Sequence, residues 1–392
     1  MKPIIILSAA LGLTLSSTAF AGNTHTSANK TLQTKKYQHH IVLGKQKIQV
    51  ALLMDTSSSM DGLIEQAKSQ LWSIINELAT AEYQGTKPSI EIALYHYGNS
   101  GLSSSNGYIQ QIIPFTTDLD KVSEELFKMT TNGGDEYCGA VISDATLNLQ
   151  WSESNEDLKL IYIAGNEPFN QGSVDYTKAC RNAIAKGIVV NTIYCGGESE
   201  GINSSWKDGA LLADGQFMSI DMNQQTVYIE TPFDTTLLRL NNELNSTYVF
   251  YGSEGEVAST NQKNQDKNAE SYSPSVSVER TVSKSSTGYI NASWDLVDAA
   301  RDSSFDISKV KDEELPGEMK NMDDIKRLEY IKDQSAKRDS IHTQINTINQ
   351  QRQVFITEKK KENGAENSLD NAIVNSVHTV AKKKNYTFTK TN

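Results

Sequence analysis

The chain has 392 residues, of which 38 % are hydrophobic, 22 % charged and 8 % aromatic. That balance excludes a multi-span membrane protein, a collagen-like chain and a fully disordered one. The net charge of −11 argues against nucleic-acid binding through phosphate neutralisation, and three cysteines are too few for a disulfide-dense scaffold.

The N-terminus reads as a secretory signal. Lys2 supplies a minimal basic region, Ile4 to Leu15 an apolar run, and Ala19-Phe20-Ala21 a small-x-small cleavage pattern. Cleavage is predicted after Ala21, and the apolar run is too short for a transmembrane helix. Lys2 is the only charge in residues 1–21, so the mature chain carries −12. The sequence thus predicts a periplasmic or secreted protein with no transmembrane segment after signal removal.

Residues 22–40 form a polar N-terminal arm. From residue 41 the pattern changes. Ile48 to Met54 is a nearly continuous apolar run, as in a strand buried on both faces. Ile90 to Tyr95, Leu158 to Ile163 and Ile188 to Tyr194 repeat it, and Gln216 to Ile220 is a shorter fifth strand. Between them, Leu63, Ala67, Leu71, Ile74, Ile75 and Leu78 recur at helical spacing. Val141, Ala145, Leu147 and Leu149 do so less regularly, and Tyr176 to Ile184 forms a further face that stops at Gly187. Strands alternating with helices predict an α/β fold over 41–250, doubly wound around a mainly parallel sheet. Residues 251–288 are rich in Ser, Asn, Gln and Lys and read as a polar linker. Residues 289–392 read as a helical, charged C-terminal region. There Ile341, Ile345, Ile348 and Phe355 give a narrow apolar stripe, suited to docking a partner, self-association or bracing the domain.

The most informative stretch is Asp55-Thr56-Ser57-Ser58-Ser59, which begins where the first strand ends. Ligands of doubly wound sheets bind outside the carboxyl ends of strands. Asp55, Ser57 and Ser59 alternate, so an extended loop can turn one carboxylate and two hydroxyls to one side. Such a set suits a hard cation: Mg²⁺, or Ca²⁺ or Mn²⁺. The other reading is a serine-rich helix cap with Asp55 as a turn residue.

With this strand before it and a long helix after it, Asp55-x-Ser57-x-Ser59 resembles the first element of the metal-ion-dependent adhesion site of von Willebrand factor type A domains. The resemblance spans about 200 residues as an order of elements. Segments 51–57, 163–169 and 293–298 also resemble uncharacterised exported bacterial proteins carrying this domain. The resemblance implies two more site loops, one supplying a threonine and one an aspartate. Here Asp135 stands for the threonine in Gly133-Gly134-Asp135, and Gly165 for the aspartate in Ala164-Gly165-Asn166. The implied ligands are therefore Asp55, Ser57, Ser59 and Asp135, with Glu136, Asn166 and Glu167 as rim or substitute ligands. In the family a partner's acidic side chain completes the metal shell, and Glu136 could fill that position from within. Tyr137, Phe169 and Asn170 are expected on an exposed rim.

Cys138, Cys180 and Cys195 are expected near the same edge of the sheet. A Cys180–Cys195 bridge is the first pairing, Cys138–Cys195 its rival and three buried thiols the third reading. No Gly-x-Ser-x-Gly, His-Glu-x-x-His or Gly-x-x-x-x-Gly-Lys motif is present, and the six histidines show no metal-ligand spacing. His96, at a strand end, reads as a packed residue before a general base. The sequence thus points to a non-enzymatic binding module for a protein or cell-envelope ligand. The alternatives are an envelope scaffold with a saturated or absent ion, and a cation-dependent hydrolase.

Overall fold

A computed structural model describes residues 43–220, 228–286, 288–362 and 369–388. The predicted signal peptide and N-terminal arm lie outside these residues. In chain order the regular elements begin with β1 (Leu43–Asp55), α1 (Leu63–Ala79), β2 (Ala81–Tyr83), β3 (Lys87–Tyr97) and β4 (Ile109–Thr116). There follow α2 (Leu119–Lys128), α3 (Cys138–Asn148), β5 (Leu158–Gly165), α4 (Tyr176–Ala185) and β6 (Ile188–Tyr194). Next come α5 (Glu198–Asn203), α6 (Trp206–Leu212), β7 (Phe217–Ser219) and α7 (Asp234–Asn245). The chain continues through α8 (Gly255–Tyr272), α9 (Pro274–Lys284), α10 (Leu296–Ala299), α11 (Asp324–Glu362), α12 (Leu369–Lys383) and β8 (Tyr386–Phe388).

The main sheet has the order β4-β3-β1-β5-β6-β7, parallel except for β4, which pairs antiparallel with β3. β2 and β8 form a separate antiparallel pair. Strand alternation divides β1 between two cores. Ile48, Val50, Leu52 and Met54 face a core shared with α1, α2 and α12, whereas Ala51 and Leu53 face one shared with α3, α4 and α6. β1 therefore leads to a helix on one face and the adjacent β5 to a helix on the other. This divergence opens a crevice at the carboxyl ends of β1 and β5, where ligands of such sheets bind.

The expected polar linker is a correction. Residues 251–288 contain α8 and α9, and Ser273 caps α9 by accepting from the Val276 amide, with Pro274 in its first turn. Their polarity is internal: Arg280 is buried between Asp120 of α2 and Asp266 of α8, and Lys284 is buried on Asp266. Burial is offset here by paired charges.

The charged C-terminal stretch folds as the 39-residue α11. Ile341 and Ile345 pack with Leu237, Leu240 and Val278 of α7 and α9, and Phe355 meets Phe233 edge-on. The apolar stripe is thus covered within the chain and braces the domain. Buried Arg327, Arg338 and Arg352 recur every 11 to 14 residues on the same side, bound to Asp312, Asp295 with Asp298, and Asp234 with Glu279.

Candidate cation site at the carboxyl edge of the sheet

Asp55 is the last residue of β1 and is fully buried. Its Oδ1 accepts the Ser57 amide at 2.8 Å, which bends the chain out of the strand. Its Oδ2 is buried and has no hydrogen-bond partner among the described residues. Ser57 Oγ and Ser59 Oγ are 2.8 Å apart, and Ser59 Oγ donates to Asn166 Oδ1 at 2.9 Å. The Asn166 amide returns a bond to the Ser59 carbonyl at 3.3 Å. The β1–α1 and β5–α4 loops are thereby tied across the crevice.

The third loop is arranged differently from expectation. Asp135 is exposed, and its carboxylate accepts the Tyr137 hydroxyl at 3.0 Å. Glu136 is the residue brought in beside Asp55: it is buried, and its amide donates to Gln171 Oε1 at 3.0 Å. Gly98 makes the approach possible. A Cβ there would stand 2.7 Å from Glu136 Cγ and 2.9 Å from Asp55 Oδ1, and its φ of +76° favours glycine. Asn99 holds the loops together by donating to the carbonyls of Thr56 and Thr130 at 3.3 and 3.1 Å. Gly98 and Asn99 were not singled out in the sequence; the visible signal is a Gly-Asn pair directly after a buried strand.

Gly165, where the resemblance implies an aspartate, is also explained by packing. A Cβ would stand 2.6 Å from Tyr97 Oη, 3.1 Å from Asp55 Oδ2 and 3.1 Å from the Trp206 ring. The Tyr97 hydroxyl fills that space and donates to the Ala164 carbonyl at 2.9 Å.

Burial pushes the Asp55 carboxyl up to about 6, against the hydrogen bond from the Ser57 amide and the nearby Asn166 backbone, which favour its charge. Burial, and then the charge of Asp55, pushes Glu136 up to about 7. Glu167 adds repulsion to both. His96 is held down by burial, and its two ring nitrogens contact Thr56 Oγ1 and Gln110 Oε1 at 3.3 and 3.0 Å. It is engaged as a packed strand-end residue.

The expected rim is also partly corrected. Phe169 is fully buried against Tyr176 and Trp206, whereas Tyr137 is half-buried beside Tyr108 and Asn170 is exposed. The expected Cys180–Cys195 bridge is absent: all three cysteines are free and buried. Cys138 and Cys180 belong to the core on one face of the sheet and Cys195 to the core on the other, so β-sheet backbone separates the pair.

The family model described as von Willebrand factor type A domain matches residues 49–205. The chain contains a von Willebrand factor type A (VWA) domain. The SpRpn10 VWA domain is 14 % identical with a TM-score of 0.35, covering 45 % of this chain and 90 % of that one. BatB from Bacteroides thetaiotaomicron, described as a conserved hypothetical protein, is 16 % identical with a TM-score of 0.34, covering 44 % and 90 %. The pilus adhesin SpaC from Lactobacillus rhamnosus GG is 10 % identical with a TM-score of 0.35, covering 46 % and 28 %. No curated protein matches in sequence. VWA domains generally mediate protein–protein interaction and often bind a divalent cation.

The donor set of this VWA domain fits such an ion. Among the described residues no group of three or more His, Cys, Asp or Glu is gathered for a metal. The oxygens here are mixed instead: carboxylates of Asp55 and Glu136, hydroxyls of Ser57 and Ser59, and the Asn166 amide. An all-oxygen set suits Mg²⁺, Ca²⁺ or Mn²⁺ chemically, and Asp55 Oδ2 is a buried acceptor with no hydrogen-bond partner among the described residues.

Proposed function

We propose that this chain is an exported, non-enzymatic protein-binding module whose VWA domain uses a divalent cation at the carboxyl edge of its sheet. The observation that carries the reading is the buried, unpartnered Asp55 Oδ2 beside the Ser57 and Ser59 hydroxyls. A carboxylate taken out of water without a compensating cation is costly, and a hard ion would relieve that cost. Asp55, Ser57 and Ser59 would hold the ion, Glu136 replaces Asp135 as the second carboxylate, and Asn166 and Glu167 would shape the rim. The ion's contribution would be positive charge with exchangeable ligand positions. The chain's own contribution is a rigid strand-end platform linking the loops. The exported location rests on the sequence signal, and no described helix is long and apolar enough to cross a membrane.

A second reading has one observation in its favour. Glu136 is already buried beside Asp55 within this chain, so an ion there could be saturated by the protein and act as a scaffold element. Thermal unfolding with and without Mg²⁺ tests for the site. Binding at 100 times the dissociation constant adds about 2.7 kcal/mol of stability. The wild type is expected to gain, and Asp55→Ala to gain nothing. Equal responses of the two would refute the site. Exchange of the bound ion separates the readings: a saturated ion would resist brief chelation, whereas an open one would leave at once.

A further inference from the structure

Most buried carboxylates elsewhere among the described residues have cations of their own; Asp157, which accepts the Lys47 backbone amide, does not. Asp120 and Asp266 bind Arg280, Asp295 binds Arg338, and Asp234 binds Arg352. Asp55 and Glu136 are also buried, yet among the described residues neither forms an ion pair, and Asp55 Oδ2 has no hydrogen-bond partner. The site is thus a place where two neighbouring buried carboxyls are left without a cation of the chain's own.

Its surroundings share that sign. Leaving aside the segment after β7, which runs outside the described residues, the segments at the carboxyl edge are residues 56–62, 98–108, 129–137, 166–175 and 195–205, the last including α5. They carry seven Asp or Glu residues and no Lys, Arg or His. The whole chain, by contrast, has 37 Lys and Arg against 48 Asp and Glu. Basic side chains are interspersed on other surfaces, as on α2, where Lys121 and Lys128 pair with Glu124 and Glu125. On this edge Asp135, Glu198 and Glu200 are exposed and Glu167 is half-buried. A face of one sign around a cleft attracts opposite charge and repels its own.

We propose that the carboxyl edge of this VWA domain docks a basic polypeptide segment, rich in lysine or arginine, rather than the acidic side chain through which the family completes its metal shell. The inference takes only the location of docking from the proposed function; the acidic face does not depend on the ion. An acidic partner residue would have to approach past Glu167 and displace Glu136 from beside Asp55. A basic segment meets the same groups as attractions. One bound divalent ion balances the charges of Asp55 and Glu136 and leaves the exposed carboxylates of the rim uncompensated.

The test uses the full mature chain, fluorescein-labelled decalysine and decaglutamate as probes, and anisotropy at about 0.05 M salt, where screening is modest. Titrations are run in Mg²⁺ and in EDTA, with Mg²⁺ binding measured separately by calorimetry. The rim variant is Asp135→Asn/Glu167→Gln/Glu198→Gln/Glu200→Gln. A control variant, Glu313→Gln/Glu318→Gln/Glu329→Gln/Asp333→Asn, removes the same number of charges, all exposed, from α11 and the turns before it. Decalysine is expected to bind the wild type, about tenfold or more weaker to the rim variant, and within about twofold of wild type to the control. Glu198→Lys/Glu200→Lys, checked for an unchanged melting profile, is expected to lose decalysine and gain decaglutamate. Equal weakening in rim and control variants, no decalysine binding, or decaglutamate binding to the wild type would overturn the proposal. Mg²⁺ binding without decalysine binding would refute it alone. Decalysine binding through the rim without Mg²⁺ binding would refute the cation reading and leave this one standing.

Discussion

Replacing Glu136 by glutamine removes one of two buried, mutually repelling carboxyls while keeping its shape. Glu136 sits at about 7 against an ordinary 4.5, so its ionised form carries roughly 3 kcal/mol of penalty. Part of that penalty is shared with Asp55, whose charge is one of its causes, and solvent screening reduces it further. About 1–2 kcal/mol is left for Glu136 alone. The sign follows from linkage. A carboxyl raised in the folded state binds its proton first in that state as pH falls. The ion-free protein therefore gains stability between about pH 8 and pH 5, and loses that gain as pH rises through 7. Asp55, raised to about 6, acts in the same direction. Urea unfolding in EDTA should find Glu136→Gln more stable than wild type by about 1–2 kcal/mol at pH 8 and indistinguishable at pH 5. A variant equally destabilised at both values would show that Glu136 acts through packing or hydrogen bonds, and the electrostatic account of the site would fail.

Arg338→Ala should cost about 3–5 kcal/mol in the same assay, because it strands the fully buried Asp295; a loss under about 1 kcal/mol would mean that Asp295 finds water or a proton instead. Gly165→Asp should lose about 1–3 kcal/mol by overlap with the Tyr97 hydroxyl. In a Tyr97→Phe background at least half of that loss should return, and additive losses would refute the overlap. Intact mass after alkylation should show three unreactive thiols in the native protein and three alkylated ones in urea without reductant. A chain lighter by two hydrogens would reveal a bridge and contradict the assignment of Cys180 and Cys195 to opposite cores.

The α/β fold was legible because β1, β5 and β6 are buried on both faces, so their apolar runs are nearly unbroken in the sequence. β4 was missed: Ile109 to Thr116 is an edge strand with exposed Gln110, Gln111 and Pro114, and its pattern is correspondingly broken. α8 was illegible for a different reason, and α11, legible as a helix, hid the polar part of its buried face for the same one. Their buried faces carry Gln262, Gln265, Arg338 and Arg352, which read as solvated in one dimension and are satisfied only by residues distant in sequence. At the site, Asp55-x-Ser57-x-Ser59 was legible because its spacing is local. The choice between Asp135 and Glu136 was not, since Glu136 reaches Asp55 only because Gly98, 38 residues away, leaves room for it. The cysteine pairing failed similarly. Cys180 and Cys195 are close in the chain but are separated by the sheet.

The central claim is that the carboxyl edge of the VWA domain holds a divalent cation on Asp55. Calorimetric titration of Mg²⁺ into the mature chain at neutral pH, beside Asp55→Ala, tests it most directly. The account requires one site in the wild type, uptake accompanied by proton release from the Asp55–Glu136 pair, and no binding in the folded variant. No heat from a folded wild type, or the same isotherm from Asp55→Ala, would contradict it.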